Sequence, residues 1–291
     1  MALRDIGLAV LVQAIWGIGL TLMKPSMAAF PPVLFIAMVY ALIALVFTPI
    51  TAKSKTPFWH MMLIAAFGGS VQSGLLAVGL KMIEASTVNL LLQLTVPFAI
   101  LLSWLVRIDR PDWRNGIGSF VALAGVAIVI GAPQGTASWI GVTTVTVCAL
   151  SWAGAQILIR LLCKDSGLVL YTAMARHAWP QALVASLILE RDQLDWLARA
   201  TLGDWAGFVG IAMIGFAAGY ALWYRLLTRN RVDQLLPFTL LMPPFGVGAS
   251  VLWLHEPLQT NLLIGGGIIL VGLAVIVWPG RRRRATATPS A

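Results

Sequence analysis

Long apolar runs, broken by short polar or proline-marked links, fill the chain from one end to the other. A bilayer-spanning helix needs roughly 20 mostly apolar residues. The runs predict ten such spans, at about 5–24, 31–51, 58–80, 85–106, 113–132, 137–160, 167–189, 204–226, 232–254 and 259–279. The links carry Pro31-Pro32, Lys53-Ser54-Lys55 and Arg107–Arg114, and the longest runs from Glu190 to about Gly203. None has room for a soluble domain. The expected fold is an all-α integral membrane protein of ten transmembrane helices.

Composition strengthens this picture. Of 291 residues, 59% are hydrophobic and 11% charged, against about 25% charged in a soluble domain. The mean hydropathy is +0.87. A water-facing surface would need far more polar side chains than this. The net charge of +9 is scattered singly between apolar runs, which argues against nucleic acid as a partner. The one dense run, Arg281–Arg284, follows the last span and reads as an anchor on an anionic leaflet. Cys148 and Cys163 make no disulfide framework, and His60, His177 and His255 make no metal motif, so no cofactor or metal is expected. The stretch Ile6–Met23 is of full membrane length without a clear cleavage site, unlike a removable signal peptide.

Charge also orients the spans, because cytoplasmic loops carry excess Lys and Arg. With the N-terminus inside, Arg4, Lys53, Lys55, Arg107, Arg110, Arg114, Arg160, Lys164, Arg225, Arg229, Arg231 and Arg281–Arg284 face the cytoplasm, fifteen of twenty basic residues. Lys24, Lys81, Arg191 and Arg199 face outward, and Arg176 lies within a span. Both termini are thus expected in the cytoplasm.

The chain repeats itself. Leu94, Pro97, Phe98, Asp109, Gly118, Gly125 and Ala127 meet Leu241, Pro244, Phe245, Glu256, Gly265, Gly272 and Ala274 at a spacing of 147. Nearer the start of each half the spacing is 136, pairing Trp16 with Trp152, Lys24 with Arg160 and Tyr40 with Arg176. The halves are 1–132 and 137–279, followed by a basic cytoplasmic tail at 280–291. Five spans per half force the second half to enter from the opposite side. Two inverted five-helix repeats are typical of secondary transporters, with the substrate near the midplane.

The second half reads Gly219-Tyr-Ala-Leu-Trp-Tyr-Arg-Leu-Leu, then Leu241-Met-Pro-Pro-Phe, Leu254-His-Glu-Pro-Leu and Gly265-Gly-Gly-Ile-Ile-Leu-Val-Gly-Leu. The first half answers with Trp16-Gly17, Ala85-Ser86-Thr87, Pro97 and Gly118 with Gly125. This order of motifs resembles the EamA-type module of the drug/metabolite transporter superfamily over nearly the whole chain. The Trp-rich, low-charge composition is most similar to the bacterial aromatic amino-acid exporter branch. The resemblance implies an inner-membrane permease for amino acids or related metabolites. The chain departs from the pattern at Asp109, which stands where the second half has Glu256.

Polar side chains at membrane depth usually face the bundle interior or a cavity. Gln13 and Trp16 share one helical face, as do Trp152, Gln156 and Arg160. Asn89 and Gln93 lie one turn before Pro97, Gln72 and Ser73 are mid-span, and Tyr220, Trp223 and Tyr224 share a face. Tyr40, Arg176 and His177 complete the candidate cavity. Gln72 and Asn89 either line it or bond a neighbouring helix; Arg176 either pairs with a carbonyl or attracts a substrate carboxylate. Trp59, Trp104, Trp113, Trp139, Trp253 and Trp278 read as an interfacial belt. Lys24 and Arg160 read as snorkelling anchors. Pro97, Pro243 and Pro244 each remove an intrahelical hydrogen bond and are candidate gating kinks. Gly118, Gly125, Gly265 and Gly272 are expected to let helices approach closely.

No acidic residue falls mid-span, whereas proton-coupled carriers place one there. The expected mechanism is therefore alternating access that follows the solute's own gradient. An embedded enzyme would need paired Asp or a His-rich metal site, which the chain lacks. A sugar-phosphate carrier would want more than one deep cation. Pores are commonly oligomeric, whereas an internal repeat builds a pathway in a monomer.

Overall fold

The computed structural model describes residues 2–108, 112–131, 139–165, 167–230 and 235–277. The tail and Asp109 therefore lie outside the described residues. Helices α1 (Leu3–Ala29), α2 (Pro32–Ile50), α3 (Phe58–Met82), α4 (Ala85–Leu105) and α5 (Trp113–Gly131) form the first half. Helices α6 (Trp139–Leu162), α7 (Gly167–Leu189), α8 (Leu202–Gly210 continuing to Arg229), α9 (Leu236–Leu241 with Met242–Leu254) and α10 (Thr260–Val277) form the second. A short helix, Gln193–Arg199, sits in the long link before α8. No strand occurs among the described residues.

Seven of these segments are long and apolar enough to cross a membrane: α1, α2, α3, α4, α6, the Leu202–Trp223 stretch of α8, and α10. The apolar parts of α5 and α9 are shorter, at Trp113–Val129 and Phe238–Leu254. The remaining expected span, α7, is long enough but carries Arg176 and His177 mid-helix. Trp59, Trp104, Trp113, Trp139 and Trp253 are all exposed near helix ends, as an interfacial belt requires.

Packing follows a pseudo-twofold relation between the halves. Helices α2 and α7 pack together, as do α5 and α10; α1 packs on α8 and α9 while α6 packs on α3 and α4. The α5–α10 contact shows how sequence achieves this. A Cβ on Gly118 would sit 2.6 Å from the Gly272 carbonyl, and one on Gly125 2.6 Å from the Gly265 carbonyl. The reverse contacts are the same, so the two helices run antiparallel with backbones touching.

Irregular turns recur in paired helices. Each half has a π-helical segment in its third helix, Ala66–Ser70 in α3 and Ile211–Ala218 in α8. Each has a 3-10 segment ahead of the shared proline, Leu92–Leu94 before Pro97 and Leu236–Leu241 before Pro243 and Pro244. A proline lacks the N–H that would bond four residues back, so the preceding turn tightens instead. π segments are frequent at functional sites.

Candidate functional site

Acidic side chains hold helix starts. The four leading N–H groups of a helix have no partner within it, and a carboxylate satisfies them well. Glu190, just past α7, accepts from Val33 N (2.8 Å) and Leu34 N (2.9 Å) at the start of α2. Asp165, between α6 and α7, accepts from Ser54 Oγ, Lys55 N (2.8 Å), Thr56 N (3.2 Å) and Thr56 Oγ1 (2.7 Å) just before α3. Asp204 and Thr201 form a capping box on α8.

The most connected carboxylate is Glu256. His255 ends α9 in the left-handed region, φ 54°, and turns the chain back toward α4. Glu256 Oε1 then accepts from Ala85 N (2.7 Å) and Lys24 Nζ (2.8 Å), while Oε2 accepts from Ser86 N (3.0 Å) and Ser86 Oγ (2.8 Å). Lys24 Nζ also donates to the Ile83 carbonyl at 3.0 Å. The side chains of the Lys24–Glu256 ion pair are 28% and 7% exposed. Burial pushes the Glu256 carboxyl up, but the Lys24 ammonium and the Ser86 and Ala85 donors outweigh it and hold the group below its ordinary value. Nearby Glu84 is raised, by burial and by the Glu256 charge. Lys24 is thus more than a snorkelling anchor.

The two ends of the bundle differ. At the Glu256 end one continuous apolar core runs through Leu20, Met23, Met27, Phe30, Leu76, Leu80, Ile83, Val145 and Phe208. There α1 packs on the end of α3 and the start of α4, and α9 packs on the start of α4. At the Asp5 end the core splits. Met61, Ile64, Leu170, Ala173 and Met174 join α3 to α7, while Ala9, Val12, Leu226 and Leu235 join α1, α8 and the start of α9. The pseudo-symmetric counterparts of the α1–α3, α1–α4 and α9–α4 contacts have no comparable packing among the described residues. Among the described residues, the seam between α1 and α9 on one side and α3 and α4 on the other is packed at the Glu256 end and cleft at the Asp5 end, where α7 still packs on α8.

An aromatic cluster lies where the cleft meets the closed core. The Trp16 ring is 5.1 Å from Tyr220 and 5.6 Å from Trp223; Tyr220 stacks on Tyr171 at 4.5 Å and meets Trp152 edge-on at 6.5 Å. Gly219 makes room for this, since a Cβ there would sit 2.5 Å from Trp16 Nε1. Trp16, Trp152, Tyr220 and Trp223 are half-buried. Gln13 Nε2, Trp16 Nε1 and Asn89 Oδ1 are buried and make no hydrogen bond among the described residues. Asn89 Nδ2 donates to the Ala85 carbonyl at 3.0 Å, and its amide presses against Gly246 of α9.

The other candidates scatter. Tyr40 shares a 2.8 Å hydrogen bond with Ser73, whose hydroxyl donates to Gln72 Oε1; Gln72 Nε2 reaches Cys148 Sγ at 3.7 Å. This is a helix-to-helix bridge of α2, α3 and α6. Gln93, Pro97 and Pro243 are buried, Gln156 and Arg176 are exposed, and His177 Nδ1 bonds the Ala173 carbonyl at 2.8 Å. The side chain of Tyr224 lies outside the described residues. Sequence reasoning missed Tyr171, an aromatic in α7 whose spacing from Arg176 gave no hint of its stack. It also missed the carboxylate caps, although Glu256 and Lys24 were each singled out.

An all-helical bundle with paired irregular helices, a one-ended cleft and an aromatic centre is the build of a membrane carrier. The sequence profile of the EamA-like transporter family matches residues 4–131 and 139–278, and the chain belongs to that family. It is 26% identical to a "Probable amino-acid metabolite efflux pump" of Salmonella typhimurium, covering 98% of each chain. The similarly described protein of Escherichia coli is also 26% identical, over 100% of both. A "Probable terminal-alkyne amino-acid exporter" of Streptantibioticus cattleyicolor is 26% identical over 77% of this chain and 75% of its own. One solved structure, described only as "Crystal structure of protein", superposes with a TM-score of 0.66 at 18% identity, over 92% of this chain and 94% of its own, and shows the shared fold.

Proposed function

We propose that this transporter carries amino acids, aromatic or otherwise neutral, across the bacterial inner membrane by alternating access. The halves 1–132 and 137–279 act as the two inverted units of a monomer. The observation that carries the reading is the cluster of Trp16, Trp152, Tyr171, Tyr220 and Trp223 beside unpartnered amide atoms of Gln13 and Asn89. Aromatic faces suit an apolar side chain and attract an ammonium group, and amide donors and acceptors suit a zwitterion's head. Relatives described as amino-acid exporters support the same class. The excess of basic residues around the Asp5 end supports a cytoplasmic position for that end, with the cleft opening inward. The acids whose bonds are described sit at helix starts and links, which supports transport down the solute gradient.

The test is a flux screen in proteoliposomes without an ion gradient, across the neutral and aromatic amino acids, with nucleotide sugars and cationic drugs as controls. Saturable amino-acid counterflow is expected. Flux of nucleotide sugars alone, or a strict need for a proton gradient, would overturn the reading.

A further inference from the structure

We propose that Lys24, Glu256 and Ser86 form a latch that holds the Glu256 end shut while the opposite end is open. This rests on the reading of the chain as an alternating-access carrier. Three elements meet at Glu256: the outer part of α1 through Lys24, the start of α4 through Ala85 and Ser86, and the α9–α10 link that carries the carboxylate itself. These elements belong to both halves; α1 and α9 pack on each other along much of their length, and the start of α4 meets both of them at this end.

The other carboxylates whose bonds are described do not span this seam. Glu190 ties α7 to α2, Asp165 ties the α6–α7 link to the α2–α3 link, and the bond from Asn230 to Asp5 joins α8 to α1. Each of those bonds joins elements that already pack together. Beneath the latch lies a seal of apolar and hydroxyl groups. Thr21 Oγ1 lies 3.1 Å from both the Gly246 carbonyl and Ser250 Oγ, and Asn89 presses on Gly246. Further along α4 and α9 come the 3-10 turns and Pro97, Pro243 and Pro244, so the latched ends are joined to the rest of each helix through irregular backbone. Opening the closed end requires the seam to part, and the bonds of Glu256 to Ala85 and Ser86, with that of Lys24 to the Ile83 carbonyl, are polar contacts that must then break, while the Lys24–Glu256 pair holds the two donors and acceptors in place. A carboxylate already stripped of much of its water holds charged and backbone donors more strongly than an exposed one does.

Two single-cysteine reporters in a background without Cys148 and Cys163 test this. Leu20→Cys lies in the buried seal and Gln156→Cys is exposed on α6. Labelling with a membrane-impermeant maleimide is followed from each side of the membrane, without substrate. Lys24→Met is expected to raise the Leu20→Cys rate about tenfold, the size of one lost charge-assisted bond, and to lower the Gln156→Cys rate. Glu256→Gln should do more, and Glu190→Gln should change neither. Lys24→Met also leaves the α4 cap in place, so it stays informative if Glu256→Gln fails to fold. Unchanged rates in a well-folded Lys24→Met protein, or rates that rise together at both reporters, would overturn the latch. Amino-acid flux plays no part in this readout: a wrong substrate class leaves the labelling shift intact, and a missing shift leaves the flux screen standing.

Discussion

The closed and the cleft end of this bundle are built from the same parts. Both have apolar helix faces, and both use carboxylates to finish helix starts. Among the described residues, only at the Glu256 end does a carboxylate reach across the seam, from the α9–α10 link to the start of α4. At the Asp5 end, Asp165 and the Asn230–Asp5 bond tie each group to itself. The family profile matches the chain twice, so the halves share a layout, and the two ends differ in the contacts that the described residues make across the seam. What distinguishes an open from a closed mouth is which bonds cross the seam.

The largest effect on this contrast should come from Gly246→Val. A side chain there would collide with Asn89, and overpacking of this kind costs about 3 kcal/mol. Gly154→Ala, on α6 with Phe67 no nearer than 3.4 Å, should be neutral or stabilise by up to ~1 kcal/mol. Denaturation in detergent compares the two; equal losses would erase the distinction between a tight and a loose end. Next in size is Trp16→Ala. It removes one aromatic face of the proposed site, and a single ring or cation–π contact to the substrate is worth about 1 kcal/mol, so the half-saturation concentration should rise about fivefold. An unchanged value would move the substrate elsewhere.

Pro97→Ala and Pro244→Ala should slow turnover more than they weaken binding, read from counterflow rates and equilibrium binding on the same preparations. Unchanged rates in both would remove the irregular turns from the mechanism. The smallest effect is on acidification. Glu256 and Asp165 are both held below their ordinary values; for Asp165 burial pushes up, and donors from Lys55, Ser54 and Thr56 outweigh it. Such a group adds stability that is complete above its unfolded value, about 4, and is lost as pH falls through the lower folded value. Melting temperature should thus hold steady from pH 7 to about 5 and fall only below about 4. A loss already complete at pH 5 would contradict the depressed carboxyls.

Much of this fold was legible because lipid simplifies the code. Length of apolar run predicts most helices, and the glycines seven apart marked the α5–α10 contact seen at Gly118 and Gly272. The aromatic centre was legible in part: depth within a span singled out Trp16, Trp152 and Trp223. Tyr171 escaped because it lies near the start of α7, where an aromatic residue suggests an interfacial belt. The pairing of Lys24 with Glu256 escaped because the two residues are 232 apart in sequence and meet only through the fold. For Gln72 the sequence left a cavity role and a bond to a neighbouring helix both open; Gln72 and Ser73 bond Cys148 and Tyr40, partners that polarity alone could not reveal. The π segments were invisible, since a widened turn leaves no mark on mean hydropathy.

Those widened turns set the aim of the aromatic wall. An unbroken helix advances about 100° per residue. A π turn takes in an extra residue, so every side chain beyond it points about 100° away from where an unbroken helix would send it. Tyr220 and Trp223 lie just past Ile211–Ala218, and they owe their direction toward Trp16 to that phase shift. Deleting one residue inside that segment would leave α8 a sound helix of nearly the same length, with its aromatic rings turned away from α1.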